Sequence, residues 1–196
     1  MQLVTREEIL PIGEYEKIRP HFRARVIEAK KARRVSVSNI ISAVFENHDS
    51  VLLQIQEMLR TERITNESGI LHEIETYNEL IPGPRQLKLT LFVEIAEQAE
   101  RERMLEALAG LEEKVVLDVG GEKFVAHSKE RKTEGYTRTT AVHYFTFDLS
   151  ETAKQKIRGA ARGEIPAAKL EITHPAHAVS ATLGEATLKS LAEDVA

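Results

Sequence analysis

Cysteine is absent from the 196-residue chain. This one absence excludes disulfides, Cys-ligated iron–sulfur clusters, Cys-bound zinc and thiol catalysis. Any divalent metal would have to be held by His, Asp or Glu. Long apolar runs are missing too. The cluster from Ile40 to Phe45 is far too short to span a bilayer, so no membrane contact is expected. Nor is there a basic excess: 27 Lys and Arg face 31 Asp and Glu, a formal net charge of -4. Global acidity opposes phosphate approach and argues against a dedicated nucleic-acid binder. The opening MQLVTREEIL has no basic region leading into an apolar stretch, which argues against a secretory signal. The expected setting is cytoplasmic.

What is present suits a globular chain. Hydrophobic residues make up 42% and charged residues 30%, enough to bury a core and remain solvated. Pro20 followed by His21 to Arg34 reads as a helix, since proline suits a first helical turn. Residues Ser38 to Glu46 read as a short helix or, because Val35 and Val37 alternate with serines, as a strand. Asp49 and Ser50 are candidate caps for a helix with the face Val51, Leu52, Ile55, Met58 and Leu59. Asn66 or Ser68 can cap the next, with the face Ile70, Leu71, Ile74, Tyr77 and Ile81. Their short link favours an antiparallel helix hairpin.

After Pro84 the period falls to two. Leu87, Leu89, Leu91, Val93 and Ile95 mark a half-buried strand. A charged helix over 96–109 stops at Gly110. Gly120–Gly121 between alternating runs reads as a tight hairpin turn. Ser128 to Arg138 reads as a polar loop, Thr139 to Leu149 as a strand, and Ser150 as the cap of a helix to Ala160. A strand near Leu170 to His174 is broken at Pro175 and resumes at Val179, ahead of a terminal helix. The expected fold is α+β: a helical region over 1–84 with a polar hairpin, packed on a mainly antiparallel sheet region over 85–196, in one compact unit. The element order suggests a ferredoxin-like unit with an extra strand.

The densest chemistry lies between Phe45 and Pro84. Glu46, Glu57, Glu62, His72, Glu73, Tyr77 and Asn78 fall there. Helical phase places Glu62 and Asn78 on the apolar side, where each needs a partner. Arg25, Arg33, Arg34 or a bound cation is the expected partner of Glu62. Glu57 lies opposite the stripe, one turn before Arg60, where a local ion pair is the simpler reading. A buried structural network and a ligand site both fit this cluster.

Complete motifs are absent. Glu-x-x-His fails because Gly69 stands three residues before His72. His-Glu-x-x-His fails because Thr76 stands where the second histidine should be. His72, Glu75 and Glu79 share one helical face that suits solvent better than a metal. His174 and His177, three apart on a strand, point to opposite faces unless Pro175 bends the chain. His143, between Ala141 and Phe145, reads as a satisfied core residue. The basic run from Lys17 to Arg34 matches the acidic excess over 46–79, and pairing between the two explains both better than an RNA surface does. No dinucleotide fingerprint, P-loop or Gly-x-Ser-x-Gly elbow occurs.

At FEN (Phe45–Asn47), QIQEM (Gln54–Met58), Glu62–Arg63, HEIETYNELIPGP (His72–Pro84) and LTLFVEI (Leu89–Ile95), the chain resembles the bacterial domain-of-unknown-function family numbered thirty-five-oh-one. VHYFTF (Val142–Phe147) and His174–Pro175 extend the likeness along nearly the whole chain. The resemblance carries over no catalytic residue. By gene neighbourhood alone it implies a peroxide or anaerobic redox setting, beside rubrerythrin-type and iron–sulfur oxidoreductase genes.

Three functional expectations follow. The first is a non-enzymatic accessory protein that binds a redox partner through its charged helical half. The second is a metal or small-ligand site, catalytic or not, built from Glu57, Glu62, His72 and Glu73 with Tyr77. The third is RNA binding through Lys17 to Arg34.

Overall fold

A computed structural model describes residues 2–128 and 137–195. The polar loop expected between Ser128 and Arg138 falls largely outside them.

The chain is α+β, with eight strands in two four-stranded antiparallel sheets. The first runs β1 (Arg34–Ser36), β2 (Ile41–Phe45), β3 (Gln86–Val93) and β6 (Val142–Asp148), in that order. The second has the order β5 (Glu122–Val125), β4 (Val115–Val119), β7 (Ala168–His174) and β8 (His177–Thr182). This corrects the ferredoxin-like expectation: that unit is a single antiparallel sheet, and here the strands divide between two. The stretch before residue 84 is mostly helical but also supplies β1 and β2. Val35 and Ala43 face each other there, and Ser38 Oγ accepts from the Ile40 and Ile41 N–H groups at the turn. The strand reading of residues 38–46 therefore holds over the helical one.

Alternation builds one shared core. Ile41, Ala43, Phe45, Leu87, Leu89, Leu91, Phe145 and Phe147 of the first sheet join Val115, Leu117, Leu170 and Ile172 of the second. Helices α5 (Glu151–Gly159) and α6 (Glu185–Asp194) add Ala153, Ile157, Leu188 and Leu191. Helix α4 (Gln98–Ala107) adds Leu105 and ends before Gly110, which takes φ 86. Gly120 and Gly121 take φ 58 and 88, the pair of left-handed residues that a tight β4–β5 turn requires. The Pro175–Ala176 turn reverses the chain, so β8 pairs back on β7 instead of resuming it.

Helices α1 (Ile12–Arg33), α2 (His48–Thr61) and α3 (Glu67–Asn78) stand outside this core. Pro20 lies inside α1, not at its start. Its fixed φ is already helical, but it forfeits one backbone bond and its ring crowds the carbonyl four residues back. The cap of α2 is Asn47, whose side chain accepts from the Ser50 N–H, while Ser50 Oγ answers to the Asn47 N–H. Asp49 sits in the first turn and pairs with Arg25 at 2.7 Å. Asn66 caps α3 through the Gly69 N–H. The two helices share a second apolar cluster of Val51, Ile55, Leu59, Ile70 and Ile74 with Val4 and Ile9.

A buried ion pair ties the layers together. The Arg33 guanidinium meets both Asp194 oxygens and donates to the backbone oxygens of Phe45 and Glu46. The ends of α1, β2 and α6 thus meet at one charged contact, with Arg33 only 1% and Asp194 3% exposed.

Candidate functional site

The outward face of the first sheet is where the three outer helices leave room. Register places Arg34, Val44, Thr90 and Tyr144 in one row across four strands. At about 4.8 Å per strand that row spans roughly 14 Å. Ser42, Phe92 and Val142 form the next row, and Glu46 lies on the other side beyond Phe45, its N–H bonded to the Lys88 carbonyl. Two pockets open over this face. One of about 380 Å³ is lined by Tyr77, Leu80, Lys88, Tyr144 and Thr146. The other, of about 450 Å³, is lined by Ile27, Lys30, Lys31, Arg34, Gln54, Thr90 and Phe92. Glu46 and Tyr144 line both.

Glu46 is the central group. It is 3% exposed. One carboxylate oxygen accepts from Ser50 Oγ at 2.5 Å and the other from Thr90 Oγ1 at 2.6 Å. Ser50 reaches it because the first turn of α2 begins directly after β2. Thr90 reaches it from the adjacent strand. Among the described residues no Lys, Arg or His makes an ion pair with it. A buried carboxylate whose charge is met only by hydroxyls retains acceptor capacity toward a further donor. Around it Tyr77 is half-buried, and burial pushes its phenol pKa up. Arg34 is held by Glu94 at 2.7 Å and lies over the Phe92 ring, 5.7 Å from its centroid.

Glu57 belongs to a separate cluster. It accepts from Tyr15 Oη at 2.6 Å and from Arg19 Nε and Nη2 at 2.7 and 2.9 Å. Arg60, the partner expected from spacing, is farther away at 3.8 Å. The Arg19 guanidinium holds the Glu57 carboxyl down at about 2. Burial and the bond to Glu57 push the Tyr15 phenol up.

Glu62 is exposed, which corrects the inward reading. The helix ends at Thr61 and Arg63 takes φ 54. The Ile64 N–H then bonds back to the Leu59 carbonyl, closing the end of the helix and releasing Glu62 from the apolar phase. Its expected partners lie elsewhere: Arg25 with Asp49, Arg33 with Asp194, Arg34 with Glu94. Asn78 is inward-facing and clamps the Val4 backbone, accepting from its N–H and donating to its carbonyl at 2.9 Å each. His72 is exposed and Glu73 half-buried. Glu57, Glu62, His72 and Glu73 therefore do not assemble. Among the described residues no three His, Asp or Glu side chains stand together as a metal cluster.

The histidines are held individually. His143 is buried, with Nε2 3.0 Å from Thr139 Oγ1, and burial pushes its pKa down. His174 and His177 face each other across the β7–β8 turn, yet they reach Ala109 and Ser38 respectively. The basic run of α1 is largely spent on pairs: Arg19 with Glu57, Arg25 with Asp49, Lys17 with Glu14 and Lys31 with Glu28. Among the described residues no helix is long and apolar enough to cross a membrane.

A model of the family described as Protein of unknown function (DUF3501) matches residues 3–195. The chain belongs to this family. Its fold is also that of a crystal structure described as a novel protein of unknown function from Burkholderia pseudomallei K96243, at 32% identity and TM-score 0.91, covering 100% of both chains. No curated protein matches. Within this DUF3501 chain, Glu46 and Tyr77 are the two sequence candidates that reach the groove. Thr90 and Tyr144 went unseen, and Lys30 to Arg34 were read only as part of the basic run from Lys17. Strand register, which brings Thr90 and Tyr144 to the groove, is not written locally.

Proposed function

We propose that this protein is a non-enzymatic accessory protein that binds through the groove over the first sheet. Glu46 receives a positively charged or N–H-rich group of the ligand, and the aromatic and aliphatic side chains around it take the ligand's apolar body. On the rim Lys31 and Arg34 are paired with Glu28 and Glu94, and Lys30 favours an acidic group on the same ligand, so amino acids, short peptides and the exposed segments of a protein partner are the fitting class. The observation that carries this reading is the buried Glu46 carboxylate, with hydroxyl donors and no cation, at the junction of two pockets. Such a group is hydrogen-bonded enough to remain folded and still has lone pairs to offer.

The redox setting implied by the family resemblance supplies the first partners to test, namely peroxide-handling and iron–sulfur oxidoreductases. A chain with no cysteine would serve them by binding, not by relaying electrons through thiols. The test is a pull-down from native bacterial lysate with wild-type and Glu46→Gln baits. Recovery of an oxidoreductase by the wild type, and its loss with Glu46→Gln, supports the proposal. Equal recovery by both baits moves the contact away from the groove. Recovery of no oxidoreductase, together with a robust turnover of a small molecule, overturns the accessory reading.

A further inference from the structure

The second sheet ends in an unguarded edge. In β8 the register with β7 runs unbroken from His177 opposite His174 to Thr182 opposite Lys169. Leu183 N–H bonds to the Ala168 carbonyl, one step beyond. Alternation then gives the β7-facing bonds to His177, Val179 and Ala181. The backbone N–H and C=O groups of Ala178, Ser180 and Thr182 turn away from the sheet. Among the described residues no backbone bond outside the ladder uses them. Their side chains are exposed, small and uncharged.

Other edges are blunted. Strand β1 has three residues and begins with Arg34. Strand β5 has four and carries Glu122 and Lys123. The outer side of β6 is met by His127, bridged to Thr146. Charge, shortness and cover are the usual defences of an edge strand, and among the described residues β8 has none of them.

We propose that β8 pairs with β8 of a second copy of this chain, making a two-fold dimer with one continuous eight-stranded sheet. Placing the axis at Ser180 sets Ser180 against Ser180 and Ala178 against Thr182, and each outward residue then exchanges both its backbone bonds. The strand is self-complementary in charge as well, because no charged side chain lies along it. Glu171, opposite Ser180 on β7, pairs with Lys123 at 2.9 Å and Lys169 at 2.5 Å, so it presents no unpaired carboxylate beside the axis. The dimer is independent of the groove, which lies on the other sheet.

A single strand pair is a small interface, so dissociation in the micromolar range is expected. Sedimentation or light scattering from about 1 to 500 µM brackets that range. The mass should rise from 22.0 kDa toward twice that value. Ser180→Pro removes an N–H that faces the partner and not β7, and an edge strand accepts proline there. This variant should stay monomeric throughout with an unchanged circular dichroism spectrum. Ser180→Lys, which sets like charges against each other on the axis, should do the same should the proline variant fail to fold. Amide exchange adds a pattern: protection at Ala178, Ser180 and Thr182 should grow with concentration, while Val179 and Ala181 stay protected throughout. A wild type that remains at 22.0 kDa at the highest concentration overturns the proposal. So does a dimer that survives whichever of the two substitutions folds.

Discussion

Two buried glutamates sit on outward faces of the two sheets and are treated in opposite ways. Glu171 on β7 is 8% exposed and has two lysines within 3 Å. Glu46, just past β2, is 3% exposed and has two hydroxyls. Other shielded carboxylates follow the first pattern: Glu57 has Arg19 and Asp194 has Arg33. The fold therefore supplies a cation where a carboxylate is scaffold. Glu46 departs from that rule where the two pockets meet. The difference separates a structural charge from one kept available for something else.

The comparison breaks most visibly at Arg33. Asp194→Asn leaves the buried guanidinium without a counter-charge and should cost about 3–5 kcal/mol in urea unfolding. Because Arg33 also holds the Glu46 carbonyl, this change should disturb the groove as well as the fold. Next in size is Thr90→Val, which keeps the shape and removes one of the two donors to Glu46. It should lower stability by about 1–3 kcal/mol.

Glu57 sharpens the contrast through pH. Its folded pKa, about 2, lies below the ordinary carboxylate value, so the folded state gives up the proton more readily. The resulting stability is present above about pH 4.5 and is lost as pH falls through about 2. With the carboxylate partly open to solvent, roughly 1–2 kcal/mol is expected. Glu57→Gln should lack that stability at neutral pH and show a flatter acid limb in the same window. Smallest of all is Glu62→Gln. An exposed residue at a helix end should change stability by under about 0.5 kcal/mol, and a larger loss would restore the inward reading.

Local chemistry was legible in the chain. The apolar stripes of α2 and α3, the Asn66 cap, the Gly110 stop and the Gly120–Gly121 turn all depend on residues within a few positions of one another. Glu46 was legible as a candidate by type and neighbourhood. Its partner Thr90, 44 residues away, was not, because only strand register joins them. Glu62 failed for a local reason of another kind: Arg63 adopts a left-handed conformation usually left to glycine, and the helix stops one residue before the periodicity does. The length of α1 was hidden by Pro20, which reads as a boundary and sits mid-helix. Division into two sheets, and the free edge at β8, follow from long-range pairing that no window of the sequence contains.

Glu46→Gln tests the central claim most directly, by thermal shift against a panel of amino acids and dipeptides at about 10 mM. A ligand at ten times its Kd stabilises by about 1.4 kcal/mol, or about 3–6 °C for a chain of this size. The amide still offers an oxygen to one hydroxyl and a nitrogen to the other, so the unliganded variant should melt close to the wild type. The account predicts that at least one panel member raises the wild-type melting temperature by that amount and leaves Glu46→Gln unmoved. No shift of the wild type, or an equal shift of both proteins, would contradict it.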